Sequence, residues 1–375
     1  MVVLGTRGFP NVQGGVETHC ENLYARLVAK GCEVVVFTRA RYVDPAIKEF
    51  KGVKLVPLTC PKNKFLEAFA HTFKGVIAAK KMKPDIIHIH ASGPSLCVPL
   101  ARLLGIKAVM TSHGPEHERK KWAGLPKYVL LLGERLGVVC ANAVISVSKA
   151  NAERLRQWYK KEVAVIPNGV VIQLEAGSAE AGDRTLEKYG LKKGKYILAV
   201  GRFVPEKGFH DLIEAFEIAH GSWLIAHGKS YKLVIVGGAD HEDVYSKGLR
   251  VQGEGLADVI LTGRLTGKPL QELYSHAGLF VLPSYYEGLP IALLEAMSYG
   301  LSCVVSDIPA NRNVALPDER FFKPGDVRAL SEKISRFISN PLTEKEKQAQ
   351  ISMIAKNYDW DSIAEKTLDV YTHGS

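Results

Sequence analysis

The chain has 375 residues, more than one ordinary hydrophobic core holds, so its length predicts two or three domains. Apolar residues make up 46% of it and charged residues 23%, a composition that argues against global disorder. The net charge is +10, and the whole basic excess lies in residues 1–168, which hold 26 Lys and Arg against 12 Asp and Glu. We therefore expect the first half to meet an anionic partner.

No segment of the sequence is typical of a membrane anchor or a secretory signal. The first residues, MVVLGTRGFP, indicate a short strand that enters a Gly-rich turn. The longest apolar stretch, Val129 to Ser148, is interrupted at Gly133-Glu134-Arg135, which favours a helix followed by a strand over a membrane span. The six cysteines form no CxxC pair, a pattern typical of reduced thiols. We therefore expect a cytoplasmic protein.

The first half of the chain alternates strand-like and helix-like segments. β-Rich runs lie at 33–38, 53–58, 85–90, 106–111 and 143–147, and helical periodicity fills the gaps, for example at 15–30, 65–82 and 149–158. Continuous apolar strands with helices between them indicate a parallel sheet that is covered on both faces.

A turn signal at 167–169 and a polar stretch at 173–184 predict a connection between domains. The alternation then restarts, with strand-like runs at 195–200, 231–236, 258–261, 278–282 and 302–306, and helices near 208–219, 268–276, 289–299 and 326–340. The last such segment, 359–371, is an amphipathic helix. The sequence thus predicts two doubly wound α/β domains, with ligands beyond the carboxyl ends of the strands and in the cleft between the domains.

The segment 280–297 is the richest in candidate chemistry. A strand ends, a loop carries Glu287, and Gly288-Leu289-Pro290 opens a helix that contains Glu295. Proline suits the first turn of a helix, whose free N–H groups and dipole form an anion site. A carboxylate beside such a site is repulsive unless it has another purpose, such as hydrogen-bonding sugar hydroxyls. The alternative is that Glu287 only complements the helix dipole.

A second candidate segment, 201–208, follows the first strand of the second half. Arg202 and Lys207 leave the carboxyl end of that strand, where two fixed cations could hold a diphosphate and neutralise charge as it departs. The alternative is a pair of solvated cations that contact Glu206 or Asp211.

Two segments of the first half complete the set of candidates. Gly14 and Gly15 lie in a Gly-rich loop between the first strand and the first helix, a position from which backbone approaches a phosphate or a sugar. Glycine is also common at tight turns of this kind. His113 follows a strand of the first half, so we expect it near the cleft. We interpret His88 and His90, at i and i+2 on one strand, as core residues rather than metal ligands.

Together these motifs resemble the retaining GT-B glycosyltransferases of family 4, over essentially the whole chain. The most specific feature is the pair Glu287 and Glu295, separated by seven residues in EGLPIALLEAMSYG. The GR…EKG pattern at 201–208 and the GG loop at 14–15 support it, in the right order. The resemblance implies two Rossmann-like domains that face a cleft, with the C-terminal helix crossing back to the first domain.

The resemblance also implies roles for individual residues. Arg202 and Lys207 would bind the donor diphosphate, Glu287 the donor sugar hydroxyls, and Glu295 the ribose. The backbone amides of Gly288, Leu289 and Pro290 would hold phosphate and sugar, Arg264 and Leu265 would lie at the base, His113 would contact the donor sugar, and Gly14 and Gly15 would approach the phosphate and the acceptor.

The reaction that the resemblance implies is front-face transfer with retention, in which the leaving phosphate helps to deprotonate the acceptor. No cofactor and no metal are expected. The sequence does contain Asp359-Trp360-Asp361, similar to the Asp-x-Asp metal motif of the other large glycosyltransferase class. Because it precedes a helical run, we interpret these acids as helix-start residues.

Basic residues concentrate at 62–83 and 119–128, the second with interleaved Trp122, Leu125 and Tyr128. Basic stretches with exposed aromatic residues suit contact with an anionic membrane surface. In the family that this chain resembles, the first domain holds the acceptor, which is often lipid-linked. The alternative is dispersed lysine that only aids solubility. No nucleic-acid module is visible, so nucleic acid is not expected as a partner.

We therefore predict an acceptor-side domain at 1–168 that includes the C-terminal helix at about 358–375, and a donor-binding domain at 169–357. The predicted activity moves a sugar from a nucleotide sugar, with a UDP-sugar favoured, to a glycan or lipid-linked acceptor in surface polysaccharide or glycolipid synthesis. The predicted location is cytoplasmic, or peripheral on the inner face of the cytoplasmic membrane. Two alternatives are a sugar-nucleotide epimerase of the same architecture and a non-catalytic membrane-surface binding protein.

Overall fold

The structure is a computed structural model that describes residues 1–61, 63, 66–118, 124–172, 184–221, 230–239 and 242–373. These residues form two compact units. Unit 1 is Met1–Gly169 with Trp360–Ser375, and unit 2 is Val170–Asp359. The predicted connection at 173–184 lies outside the described residues, except for Arg184.

Unit 1 is built on one sheet of eight described strands: β1 Val2–Leu4, β2 Val35–Arg39, β3 Glu49–Phe50, β4 Val53–Leu58, β5 Ile86–His90, β6 Lys107–Ser112, β7 Ala143–Ser146 and β8 Ala164–Val165. Its helices are α1 Gly15–Ala29, α2 Glu67–Met82, α3 Val98–Leu103, α4 Leu125–Cys140, α5 Lys149–Tyr159 and, from the end of the chain, α14 Trp360–His373. The strand order is β3-β4-β2-β1-β5-β6-β7-β8, parallel except for the β3–β4 pair.

The sheet of unit 1 carries a hydrophobic core on each face. One core joins it to α2, α3, α4 and α5 through buried side chains such as Val76, Ala101 and Val138. The other joins it to α1 and α14 through Leu23, Leu27, Trp360 and neighbouring side chains. Apolar strands such as Val2-Val3-Leu4 are buried on both sides for this reason, which explains why they have no polar alternation.

Unit 2 contains β9 Tyr196–Val200, β10 Lys232–Val236, β11 Val259–Gly263, β12 Leu279–Leu282, β13 Cys303–Ser306 and β14 Phe321–Phe322. Its helices are α6 Arg184–Lys188, α7 Phe209–Ala219, α8 Val244–Glu254, α9 Lys268–His276, α10 Ile291–Ser298, α11 Pro309–Arg312, α12 Val327–Ser339 and α13 Glu344–Tyr358. The described strands are all parallel, in the order β11-β10-β9-β12-β13-β14.

Each sheet has a point where the strand order reverses. In unit 1 the chain runs outward from β1 toward β4 and then crosses to β5, and in unit 2 it runs from β9 to β11 and then crosses to β12. Ligands of open parallel sheets bind at such switch points, outside the carboxyl ends of the strands. The two positions of greatest interest are therefore the β1/β5 edge and the β9/β12 edge.

The predicted fold class, two doubly wound parallel-sheet domains, is confirmed, and most predicted elements are present within two or three residues. Helices α6, α8, α11 and α13 and the short strands β3, β8 and β14 were not predicted. Three of the six cysteines are buried, and all six are free thiols. Among the described residues, no helix has both the length and the apolar character that crossing a bilayer requires.

Candidate functional site

The β9/β12 edge of unit 2 joins a cation and a carboxylate from the two loops that the sequence singled out. Lys207 Nζ lies 2.5 Å from Glu287 Oε1. The same oxygen accepts a hydrogen bond from Ser284 Oγ at 2.7 Å. The side chains of Lys207 and Glu287 are 18% and 11% exposed, so the ion pair is largely shielded from water but reachable from it.

Glycine at position 208 allows these two loops to meet. Gly208 has φ +65°, and a Cβ there would lie 2.2 Å from the carbonyl oxygen of Pro283, so no other residue fits without displacing backbone. Next to this contact, the Tyr285 N–H donates to the Glu206 carbonyl at 2.8 Å, and the Tyr285 hydroxyl donates to the buried Asp211 carboxylate at 2.7 Å. The loops are thus fixed to each other by backbone and side-chain bonds.

The start of α10 differs from the sequence prediction in one respect. The helix begins at Ile291, and Pro290 is its N-cap residue with φ −79° and ψ 96°, not a residue of the first turn. Pro290 also has no N–H, so it cannot donate a hydrogen bond to a ligand, and the expected role of its amide was wrong. The amides of this region that can donate belong to Gly288, Leu289 and the first turn of α10.

Glu295 lies farther along α10 and has a partner that the sequence did not reveal. The Tyr274 hydroxyl, from α9, donates to Glu295 Oε2 at 2.9 Å. Desolvation by burial raises the pKa of Glu295 to about 7, against the opposing effect of that hydrogen bond. Burial, together with the neighbouring Glu295, raises the pKa of Tyr274 well above its usual range, so the tyrosine remains a donor.

The remaining predicted residues of unit 2 lie at the same edge of the sheet. Arg202 follows β9 and is partly exposed. Arg264 is exposed and Leu265 partly exposed, directly after β11. Because β10 separates β11 from β9, Arg264 leaves its strand about 10 Å from the strand that precedes Lys207. The structure therefore brings Lys207 and Glu287 into contact, with Arg264 two strands away.

In unit 1, the predicted glycines follow β1. A Cβ at Gly14, whose φ is +151°, would lie 2.0 Å from Glu17 Oε2 and 2.7 Å from Arg7 Nη2. Gly14 is therefore required by the Arg7–Glu17 ion pair, in which Arg7 Nε is 3.1 Å from Glu17 Oε1. At Gly15, an added Cβ would meet no described atom within 4 Å. Open space rather than packing surrounds that residue.

His113 follows β6 and is 9% exposed, at one end of a hydrogen-bonded chain. Its Nε2 is 3.0 Å from His90 Nδ1, and His90 Nε2 is 2.5 Å from the Tyr24 hydroxyl. Tyr24 is in turn 2.9 Å from His88 Nδ1, which is 2.7 Å from the Tyr371 hydroxyl of α14. His88 and His90 are fully buried, which confirms their interpretation as core residues.

Burial keeps the imidazoles of His19, His88 and His90 uncharged at neutral pH. It lowers the pKa of His88 to about 3 and that of His90 well below its usual range, with a smaller contribution from the neighbouring histidines. The same cause lowers the pKa of His19, which packs edge-on against His90 and His113, to about 4. Sequence reasoning missed His19, Tyr24 and Tyr371, since their contacts span up to 283 residues.

His19, His90 and His113 also place possible metal-ligating nitrogens within 4.8 Å of one another. Tetrahedral zinc with bonds of about 2.0–2.1 Å needs its ligand nitrogens roughly 3.3 Å apart. The nitrogens of His90 instead hydrogen-bond to His113 and Tyr24, and His19 Nδ1 is 2.9 Å from Asn168 Oδ1. His19 Nε2 is buried without a hydrogen-bond partner among the described residues, but the other nitrogens named here are hydrogen-bonded, so the geometry is that of a hydrogen-bonded network.

The acids of the Asp-x-Asp sequence have other surroundings. Asp359 is the C-cap of α13, and Asp361 lies in the first turn of α14, where Arg26 Nε is 3.0 Å from Asp361 Oδ1. The tryptophan between them, Trp360, is 1% exposed and packs edge-on against His19. In this structure the segment joins two helices, and one of its two acids already has an arginine partner.

Two family models match the chain, one for each unit. Residues 13–174 match Glycosyltransferase Family 4, and residues 183–367 match Glycosyl transferases group 1. The UDP-Gal:alpha-D-GlcNAc-diphosphoundecaprenol alpha-1,3-galactosyltransferase of Escherichia coli is 29% identical over 276 residues, covering 72% of this chain and 69% of that protein. The alpha-maltose-1-phosphate synthase of Mycobacterium tuberculosis is 29% identical over 321 residues, covering 79% and 81%.

Solved structures match the fold over nearly the whole chain. Sucrose-phosphate synthase from Thermosynechococcus elongatus has a TM-score of 0.81 at 23% identity, covering 99% of this chain and 98% of that one. Anabaena HepE in complex with UDP-glucose has a TM-score of 0.78 at 20% identity, with the same coverage. Both family models, the matched relatives and the two parallel-sheet units agree: this chain belongs to the family 4 glycosyltransferases and has the GT-B fold.

Proposed function

We propose that this glycosyltransferase moves a sugar, with retention of anomeric configuration, from a UDP-sugar to a lipid-linked or glycan acceptor in the synthesis of a surface polysaccharide or glycolipid. The single observation that carries the proposal is the contact of Lys207 with Glu287 at the switch point of unit 2. It joins a cation suited to a diphosphate and a carboxylate suited to sugar hydroxyls in one place.

The ion pair exchanges partners when a donor binds. Lys207 and Arg202 turn to the diphosphate, and Glu287 accepts hydrogen bonds from hydroxyls of the sugar. Both described contacts of Glu287 fall on Oε1, which leaves Oε2 for a hydroxyl group. The amides of Gly288, Leu289 and the first turn of α10 add N–H donors to the same anion.

The chemical step breaks the bond between the anomeric carbon and the diphosphate oxygen, whose electron pair stays on the diphosphate. Arg202, Lys207 and the amides stabilise this negative charge more strongly in the transition state than in the ground state. The acceptor hydroxyl attacks the anomeric carbon on the same face and gives its proton to the leaving diphosphate. No pair of opposed carboxylates of the glycosidase kind is needed.

The nucleoside extends along the same edge of the sheet. Glu295 accepts hydrogen bonds from the ribose hydroxyls, and Arg264 and Leu265 lie at the base. The separation of two strands, about 10 Å, between the strands before Lys207 and Arg264 suits a ligand with its diphosphate at one end and its base at the other. Two relatives support uridine, since one is named for UDP-Gal and another binds UDP-glucose.

In unit 1, we assign the acceptor side to the β1/β5 edge. His113 would contact the sugar in transfer, and Gly14 and Gly15 would approach the phosphate and the acceptor. The open space above Gly15 supports this assignment. A lipid-linked acceptor is supported by the name of the Escherichia coli relative, which includes diphosphoundecaprenol.

The membrane contact is proposed on the face that α2 and α4 share. On α2, Phe69, Phe73 and Ile77 recur every four residues and are 43–45% exposed, next to the exposed Lys81. On α4, Leu125 is 76%, Tyr128 68% and Leu132 50% exposed. Both helices pack against the same short helix at Pro94–Cys97. An apolar stripe bordered by lysine suits an anionic leaflet.

Part of the predicted basic surface lies outside the described residues, namely Lys62, Lys64 and 119–123. The location that we propose is the cytoplasmic face of the membrane. The free thiols and the basic half of the chain support this location.

The decisive experiment is a thermal-shift screen of the full chain against UDP, GDP, ADP and their sugars. A bound nucleotide sugar raises the unfolding midpoint by mass action, and we expect the largest shift with a uridine compound. Product formation with candidate acceptors then separates a transferase from an epimerase, which would convert the donor without an acceptor. The anomeric coupling of the product in proton NMR tests retention, and an inverted anomer would contradict it.

Metal independence has its own test. Because Arg202, Lys207 and backbone amides supply the positive charge at the diphosphate, we expect turnover to survive saturating EDTA. Loss of turnover that only a divalent ion restores would instead assign the charge neutralisation to a metal.

A further inference from the structure

Unit 1 holds a cluster of arginines at the carboxyl edge of β1 and β2. Arg7 follows β1 and Arg39 ends β2, where the Arg39 N–H donates to the Arg7 carbonyl at 3.0 Å. The guanidinium carbons of Arg7 and Arg41 lie 5.3 and 5.2 Å from the centre of the Tyr42 ring. We call Arg7, Arg39 and Arg41, with Tyr42 and Glu67 between them, the arginine cluster.

The carboxylates near the arginine cluster do not fully match its cations. Glu17 forms a close ion pair with Arg7, at 3.1 Å. Glu67 is shared: Arg39 Nη1 lies 3.7 Å from its Oε2 and Arg41 Nη1 4.0 Å from its Oε1. Charge-assisted hydrogen bonds of this type are about 2.7–2.9 Å long, so neither arginine makes one with Glu67. Among the described residues, the carboxylates within ion-pair distance of these three guanidinium groups are Glu17 and Glu67.

Burial makes this imbalance costly. Arg39 is 8% exposed, and its Nε has no hydrogen-bond partner among the described residues. Burial lowers its pKa, although the nearby carboxylates oppose the shift. The neighbouring His71 adds no charge at neutral pH, since burial and the charge of Arg39 lower its pKa to about 4. A buried donor without an acceptor destabilises the protein unless a ligand supplies one.

The arginine cluster is also accessible. Arg41 is exposed and Tyr42 is partly exposed, so a ligand that contacts them can reach toward Arg39 from solvent. The cluster follows β1 and β2, strands next to the switch point of the sheet, where ligands of such sheets bind. Gly14, which packs against Arg7 and Glu17, belongs to the same edge.

We propose that the arginine cluster is an anion subsite that binds the phosphate or diphosphate group of the acceptor. This inference rests on the proposed function, because it assumes that unit 1 receives an acceptor. A phosphate group has enough oxygens to accept from Arg39 and Arg41 together, whereas a carboxylate offers two. The donor diphosphate has its own cations, Arg202 and Lys207, in unit 2.

Inorganic pyrophosphate is the probe, and its binding is measured by calorimetry on the full chain. The double variant Arg202→Ala/Lys207→Ala serves as the parent, since it removes the proposed donor cations. In that parent we expect pyrophosphate to bind at one site. Arg41→Gln should weaken this binding about tenfold or more, because it removes a charge-assisted contact. Arg41→Lys should recover part of it, since the charge returns without the fork.

Glu67→Gln should change pyrophosphate affinity in the opposite direction, which distinguishes a binding role of the arginine cluster from a structural one. It removes the carboxylate that competes for Arg39 and Arg41, so pyrophosphate should bind several-fold more tightly. Arg102→Gln, at an exposed arginine of α3, is the matched control and should change nothing. The thermal midpoint of each variant verifies folding, and the exposed Arg41 can be replaced without burying an unpaired group.

Equal pyrophosphate binding with and without Arg41→Gln overturns the proposal, as does no binding in the parent. If the variant weakens attachment to phosphatidylglycerol vesicles but leaves pyrophosphate binding unchanged, the arginines serve the membrane and the proposal is wrong. Failure of the proposed function shows separately, as wild-type protein that binds no nucleotide sugar in the thermal-shift screen.

Discussion

The two parallel sheets have the same topological switch, yet they put different chemistry at it. At the β9/β12 edge of unit 2, Lys207 and Glu287 carry opposite full charges and are 18% and 11% exposed. At the β1/β5 edge of unit 1, His88 and His90 are fully buried and uncharged. One fold thus supports a partly exposed ion pair at the switch point of unit 2 and a buried, neutral histidine network in β5 of unit 1, where the charged groups instead follow β1 and β2.

The difference shows how the surrounding residues, rather than the fold, set the chemistry of an edge. In unit 2 the loop at Gly208 holds two charged side chains where water still reaches them, so they can exchange partners with a ligand. In unit 1 the helix α14 covers the strands, and Tyr371 and Tyr24 satisfy the ring nitrogens that burial leaves without water. Such a network orients His113 through the hydrogen bond between its Nε2 and His90 Nδ1.

The largest expected effect is the loss of turnover when the lysine at the switch point of unit 2 is replaced. Lys207→Ala removes the cation that stabilises the leaving diphosphate, and we expect turnover to fall by roughly 10²–10³-fold, the usual effect of losing one such donor. Lys247→Ala, at an exposed lysine of α8, is the control and should keep normal turnover. Near-normal steady-state rates for Lys207→Ala, with intact folding, would remove Lys207 from the diphosphate site.

An intermediate effect tests the basic character of unit 1 against the slightly acidic unit 2. Lys81→Glu with Lys127→Glu reverses two exposed charges on α2 and α4, so binding to phosphatidylglycerol vesicles in a sedimentation assay should weaken about tenfold or more. Binding of the wild type should strengthen at low salt. The same double reversal at Lys247 and Lys268 of unit 2 should have little effect, and equal losses from both pairs would contradict a membrane face on unit 1.

The smallest effect concerns Glu295, whose pKa burial raises to about 7. Its unfolded-state pKa is near 4.5, so the folded protein binds more protons between these two values and loses stability as pH rises from about 4.5 to about 7. Glu295→Gln removes this loss.

Because Glu295 is partly exposed, we expect a gain of only about 1–2 kcal/mol at pH 8 and almost none at pH 4.5. Differential scanning calorimetry of both proteins across this pH range measures it. A midpoint difference that does not change with pH would contradict the raised pKa.

Local sequence patterns were sufficient for most of the secondary structure. Apolar strand runs and helical periodicity predicted β5, β12, α1 and α7 closely, because each pattern reports burial of one segment against its neighbours. Helix α13 was not predicted because its surface is mostly polar, with Ile354 and Tyr358 as its buried side chains. The sequence placed Pro290 in the first turn of α10, whereas Pro290 is the N-cap residue before that turn. A proline can precede a helix as readily as begin it.

The residues of the candidate site divide in the same way, into those that local motifs reveal and those that only packing reveals. Lys207, Glu287 and Glu295 were found from motifs, because each follows a strand or lies on a helix that the sequence marks. Tyr274 was missed, since its contact with Glu295 joins two helices whose sequences give no sign of each other.

The sequence by itself determined the order of strands and helices, the uneven charge of the two halves and the residues at the carboxyl ends of the strands, because these depend on residue type and local spacing. Only the tertiary structure decided which of those residues meet. Tyr371 reaches His88 across 283 residues, and Arg39 and Arg41 share Glu67 from a different element. Such contacts arise when chain segments pack, and the resulting burial, which no local pattern encodes, sets the charge and the hydrogen bonds of each group.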